Sequence, residues 1–275
     1  MHLLRYLLLL PVLAVACQSG DSGQNTQTQT QTEEAAPATQ AVLVRDPRSI
    51  GPAKADEQMA IEAAQQKILA ATENQLIGYW TGAFGKNKIT LALAEAYGGK
   101  AAGHSVCAGN YRPVTGEMRD LGNGRYAFDL REPGDDRYDG RFSFTIDLGA
   151  GSLDGSWTPF QAQGNSAKTF SLKKRAFVYR NDVGDYPEAS QRLLAEEDVA
   201  NLLPEELEQM RNEIYARHGY SFKNKDMRYY FESKDWYMPM GVDIRDQLTD
   251  VEAQNIDLIY RYESYYEEYY DDYGR

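Results

Sequence analysis

Between Leu76 and Phe177 turn chemistry interrupts the chain so often that no helical period can establish itself. The separators are Gly98-Gly99, Gly122-Asn123-Gly124, Pro133-Gly134-Asp135-Asp136 and Gly149-Ala150-Gly151. Glycine supplies the positive φ that tight turns need, and Asn, Asp and Pro favour the neighbouring turn positions. What remains between the turns is short and β-prone. Segments 76–81, 89–93, 125–130, 140–148, 152–157 and 169–177 read as strands. Phe142, Phe144 and Ile146 alternate with Arg141, Ser143, Thr145 and Asp147, the period of a half-buried strand. Closely spaced strands joined by hairpin turns predict an antiparallel meander that closes into a small barrel or packs as a sandwich.

Two tryptophans bracket this region, in Gly78-Tyr79-Trp80-Thr81-Gly82 and in Gly155-Ser156-Trp157. A Gly-x-Trp on the first strand resembles avidin-like and lipocalin-like barrels, in which the Trp plugs or lines one end. The resemblance implies a candidate ligand pocket at Trp80 and Trp157. The alternative is that both rings are core, as large aromatic side chains commonly are. His104 stands alone, which suits a hydrogen-bonded structural residue better than a metal ligand. No metal site and no cofactor are expected.

Charge divides the chain. The 275 residues carry a net charge of −12, yet residues 75–175 hold 13 basic and 10 acidic side chains. Residues 176–275 hold 11 basic and 23 acidic ones, together with 14 of the 20 tyrosines. The break near residue 176 predicts two domains of different character. An acidic balance argues against nucleic acid as a partner, because neutralising phosphates needs clustered Lys and Arg. A hydrophobic fraction of 42% is ample for a core.

The N-terminus reads as an address. His2 and Arg5 precede an apolar run from Tyr6 to Ala16, interrupted by Pro11 and followed by Cys17. The run is too short to span a bilayer as a helix and suits a secretory signal. Leu13-Ala14-Val15-Ala16-Cys17 resembles the bacterial lipobox. That resemblance implies cleavage before Cys17 and lipid on its side chain, hence a membrane partner. Gln18 after the Cys, rather than Asp, resembles lipoproteins sent to the outer membrane. The expected location is the bacterial cell envelope. With Cys17 acylated, Cys107 has no intrachain partner and reads as a small buried residue.

Residues 1–16 are therefore read as the signal peptide and 17–55 as a tether, Gln-, Thr- and Ser-rich from Gln18 to Gln40. Residues 56–75 hold an amphipathic helix, with Asp56 as N-cap and Ile61, Ala64, Ile68 and Leu69 at helical spacing. Residues 76–177 form the β domain and 178–275 the C-terminal domain.

That last domain carries the most specific motif. Met210-Arg211-Asn212-Glu213-Ile214-Tyr215-Ala216-Arg217-His218-Gly219-Tyr220 is followed by Tyr230-Phe231, Asp235-Trp236-Tyr237 and Leu248-Thr249-x-x-Glu252-x-x-Asn255-Ile256. The series resembles the YARHG domain, named for the residues at Tyr215, Ala216, Arg217, His218 and Gly219. That family occurs in secreted and membrane-anchored bacterial proteins, and the resemblance transfers no catalytic residue. The local physics is legible besides. Pro204 and the glutamates after it suit a helix start, and Leu207, Met210, Ile214 and Tyr215 form an apolar stripe. Glu213 and Arg217 are spaced to pair, and Gly219 suits a left-handed cap. Two readings stand side by side. The motif residues are structural, or Arg211, Arg217 and His218, with Tyr220 and Trp236, frame a cleft for sugar or peptide. The chain ends in a Tyr-rich acidic tail, read as a helix that frays.

The expected fold is α+β, an antiparallel β barrel or sandwich followed by a small helical YARHG domain. The expected function is a non-enzymatic binding or structural module of the envelope, recognising peptidoglycan or an envelope protein through the YARHG domain. The alternatives are a small-ligand-binding barrel, or a hydrolase using Glu213 and His218.

Overall fold

A computed structural model describes residues 50–161 and 166–269. The lipobox with Cys17, most of the tether and the last six residues of the Tyr-rich tail lie outside the described residues.

Helix α1 spans Ala55–Ala70. Lys54, not Asp56, occupies its N-cap position, and Asp56 lies in the first turn, where its charge favours the helix dipole. Ile61 is buried as expected, but Leu69 is 60% exposed, so the apolar stripe is narrower than the spacing predicts.

The β domain is a closed barrel of eight antiparallel strands in simple sequence order. They are β1 Gly78–Phe84, β2 Asn87–Tyr97, β3 Lys100–Cys107, β4 Asn110–Gly122, β5 Arg125–Arg131, β6 Gly140–Asp147, β7 Ser152–Pro159 and β8 Lys168–Arg175. Pairing of β1 with β8, from Tyr79 opposite Arg175 to Gly82 opposite Leu172, closes the cylinder and leaves no open edge. The sequence reading missed β3 and β4. Their stretch is rich in Ala, Gly and charge, and it contains Pro113. Pro113 pairs with His104 of β3, while the ladder to β5 begins only at Thr115. The proline thus sits where β4 has one neighbour and does not break that second ladder. Leu76 and Ile77, read as strand, precede β1 instead.

Inside the barrel, Leu91, Leu93, Val114, Phe128, Leu130, Phe144, Ile146 and Leu153 make a dry core, with the rings of Phe128 and Phe144 stacked at 4.9 Å. The end where β1 starts and β8 finishes is plugged. Leu76 and Ile77 join this core, with Ile68 and Ala71 packed against it, and Trp80 donates from its indole to Leu76 O at 3.3 Å.

The outer wall of β1–β3 is not solvent-facing. Ile61 of α1 packs on Val106 and Val242, while Tyr79 and Ala92 pack on Met238 and Met240. His104, also on this wall, is 2% exposed and meets the Tyr111 ring at a tilt, 5.3 Å between centres; burial lowers its imidazole to about 4. Burial on both faces explains why β2 is apolar almost throughout, whereas β6 alternates strictly.

The C-terminal region is helical: α2 Glu188–Gln191, α3 Glu196–Val199, α4 Pro204–Arg217, α5 Lys225–Glu232 and α6 Asp250–Tyr269. Helix α4 starts on Pro204 and ends at His218, after which Gly219 takes φ +75°. Helix α6 begins ahead of Asn255, at Asp250, and stays helical to Tyr269, so the tyrosines through Tyr266 belong to a packed helix.

Candidate functional site

The YARHG residues build inward. Arg217 and Glu213, one turn apart on α4, pair at 2.9 Å with both side chains wholly buried. Arg217 also donates to Val183 O, Tyr186 O and Ser190 Oγ at 2.8–3.0 Å. Glu213 accepts from the backbone N–H groups of Asp185 and Tyr186 at 2.8–3.0 Å. Burial pushes the Glu213 carboxyl above its ordinary range, against those donors and the guanidinium. His218 bonds Glu252 at 2.8 Å and stacks beneath Tyr179 at 4.6 Å. Glu252 takes further bonds from Tyr179 Oη, Ser190 Oγ, and Thr249 N and Oγ1 at 2.7–3.0 Å. Burial works to raise the Glu252 carboxyl, yet the His218 bond leads a set of donors that bring it below its ordinary value. Asn255 accepts from Leu194 N and donates to Ala189 O and Arg192 O. Tyr215 and Ala216 are core, and Gly219 admits Met240 against its α-carbon.

This arrangement corrects two expectations. Arg211, Tyr220 and Trp236 do not present a cleft. Arg211 is buried against Tyr260 and forks onto Glu263 at 2.7–3.2 Å, and Tyr220 donates its hydroxyl to Ile50 O. Trp236 packs edge-on against Phe231. Nor do Glu213 and His218 form an acid–base pair: Glu213 serves Arg217, and His218 serves Glu252. A network in which each charge meets an internal partner specifies packing and keeps its donors from an outside ligand.

A cavity lies elsewhere, at the barrel end opposite the plug. It measures about 520 Å³ and is lined by Phe84, Asn87, Ile89, Ser105, Cys107, Ala108, Asn110, Arg112, Glu132, Tyr138, Phe142, Trp157 and Lys168. Every strand contributes, or the residue just beyond it. Strand alternation explains why these side chains point inward. Arg112 is two residues before the core residue Val114, Glu132 two after Leu130, and Lys168 two before Phe170. The lowest layer of the barrel thus exchanges aliphatic core for ionisable and aromatic groups.

Its polar groups are individually placed. Glu132, 7% exposed, accepts from Trp157 Nε1 at 3.0 Å. Burial pushes its carboxyl up, against the donors from Trp157 and the Gly140 backbone. Arg112 Nε lies 3.5 Å from Asp139 Oδ1. The Lys168 ammonium sits 4.5 Å from the ring centre of Phe84 and 5.1 Å from that of Trp157. Cys107 is free, and burial raises its thiol to about 12, so it stays protonated near neutrality and is no nucleophile. Among the described residues no cluster of His, Cys, Asp and Glu could hold a metal ion.

Of the two tryptophans expected to mark a pocket, Trp157 lines the cavity and Trp80 does not. Trp80 is 1% exposed in the plugged end. Sequence reading also missed Arg112, Glu132 and Lys168. Once strand register is assigned, each is a charge on the core-facing parity of its strand, which is the signal that could have found them.

No curated protein and no solved structure matches the chain. Residues 184–264 match the family model described as the YARHG domain, and the motif residues within that span form the buried network above.

Proposed function

We propose that this is a non-catalytic binding module whose ligand site is the open end of the barrel, with the YARHG domain as the buttress of that barrel. The observation that carries the reading is the cavity of about 520 Å³ floored by a dry core and ringed by inward-pointing Arg112, Glu132 and Lys168. A volume of this size falls in the range of small-molecule sites, about 300–1,000 Å³. A barrel stabilised only by packing gains nothing from burying Glu132 and turning Arg112 and Lys168 toward its mouth, since removing charge from water costs free energy.

The same proposal places the protein on a membrane, through lipid on Cys17, in the bacterial envelope and on the outer membrane. The support is the lipobox-like sequence and the Gln-Thr stretch after it. Replacing Cys17 by Ser should release the protein from the membrane fraction; unchanged fractionation would count against the anchor. In that setting peptidoglycan or an envelope protein would meet exposed surface of the helical domain, since Arg217 and His218 are buried.

The binding claim is tested with 1-anilinonaphthalene-8-sulfonate. The expected result is one saturable site per chain, lost in Ser105→Phe, which fills the cavity. Unsaturable binding that is equal in both proteins would refute it.

A further inference from the structure

The three charges in the cavity are not equivalent. Arg112 faces Asp139 at 3.5 Å, and Glu132 is bonded to the Trp157 indole at 3.0 Å. Lys168 has no carboxylate partner among the described residues. Its ammonium rests instead between two ring faces, Phe84 and Trp157. Ring quadrupoles attract a cation but carry no net negative charge, so they hold the ammonium in place without neutralising it. The protein has therefore positioned a cation, partly removed from water, at the wall of the cavity, with no carboxylate within ion-pair distance among the described residues. Beside it, Phe84, Phe142 and Trp157 form a nest of rings, with Phe84 6.1 Å from each of the other two.

We propose that the cavity takes a small molecule with a planar apolar body and a single anionic group, the anion meeting Lys168 and the body lying among Phe84, Phe142 and Trp157. This deepens the reading of the barrel end as a ligand site and rests on it. A carboxylate or sulfonate would form a charge-assisted hydrogen bond with the ammonium at a site where the surrounding apolar wall strengthens it. A cationic ligand would meet Lys168 and Arg112, while the buried acid in the lining, Glu132, accepts from Trp157. A neutral planar ligand would gain the ring contacts and forgo the charge. Lys173, on the same strand with the opposite parity, points away from the core and is exposed, so it offers a matched control.

The test compares 2-naphthoate with 2-naphthamide and 2-naphthylmethylammonium, three molecules with one body and different charge, titrated calorimetrically into the full chain. Naphthoate should bind at least about tenfold more tightly than the amide, and the ammonium more weakly than either. Lys168→Gln should bring acid and amide to within about threefold. Lys168→Arg and Lys173→Gln should keep the tenfold preference, which also shows that a loss in Lys168→Gln is not a general loss of fold. Equal binding of acid and amide by the unaltered protein, or a preference for the ammonium, would overturn the ligand class while leaving the cavity as a binding site. Failure of all three to bind would overturn both.

Discussion

Arg217 donates to Val183, Tyr186, Ser190 and Glu213 at once, and no part of it is left for solvent. Removing one partner of such a pair leaves the other as an uncompensated buried charge. Arg217→Met should therefore lower unfolding stability by about 3–5 kcal/mol. Urea denaturation measures this; a loss under 1 kcal/mol would show that the pair is not the keystone of the domain. Glu252 gives a pH signature. Its folded pKa lies below the ordinary value of 4.5. The stability it contributes is thus present above that value and disappears as pH falls through the lower, folded value. The melting temperature should drop more steeply below pH 4.5 in the unaltered protein than in Glu252→Gln. Parallel curves would contradict this. These partners were only partly legible in the sequence. The spacing of Glu213 and Arg217 pointed to a helical pair. Ser190 and Glu252 join it from positions 27 residues before and 35 after Arg217, and only folding brings them together.

At the scale of elements, Gly219 shows why α4 stops where it does. It takes φ +75°, and a Cβ there would lie 2.8 Å from Met240 Cβ and 3.0 Å from Met238 O. Gly219→Ala should cost about 1–3 kcal/mol, from the left-handed conformation and the contact with Met240 together. A melting temperature within about 2 °C of the unaltered protein would be the contrary result. Gly103 plays a comparable part in β3, where a Cβ would fall 1.8 Å from Ala92 O, so the strands could not approach as they do. The helix cap was legible because glycine, helix stripe and flanking charge coincide. Strands β3 and β4 were not, because their outward faces answer to different neighbours: Val106 and Tyr111 meet α1 and Val242, while Thr115 and Glu117 face solvent. The alternation that made β6 readable depends on one wet face and one dry one, and β2 and β3 lack the wet face.

Over the whole molecule, the barrel and the helical domain share more than a linker. Gly109 N donates to Ser221 Oγ at 2.9 Å, Lys88 Nζ to Lys234 O and Tyr237 O at 3.2–3.3 Å, and Gln58 Oε1 accepts from Val242 N and Asp243 N. Two apolar clusters cross the same boundary. Residues 50–269 should therefore unfold in one calorimetric transition, and two resolved transitions would show independent domains. The charge asymmetry of the sequence foretold the division into two parts but not their mutual burial, which depends on Met238, Met240 and Val242, ordinary residues with no motif of their own. The central claim is that ligand enters the barrel end and not the YARHG motif. The chain has three tryptophans, which separate the possibilities: Trp157 in the cavity, Trp80 in the plug and Trp236 in the helical domain. With 5-fluorotryptophan incorporated, addition of 1-anilinonaphthalene-8-sulfonate should shift the fluorine resonance of Trp157 and leave those of Trp80 and Trp236 in place. A shift confined to Trp236 would contradict the account.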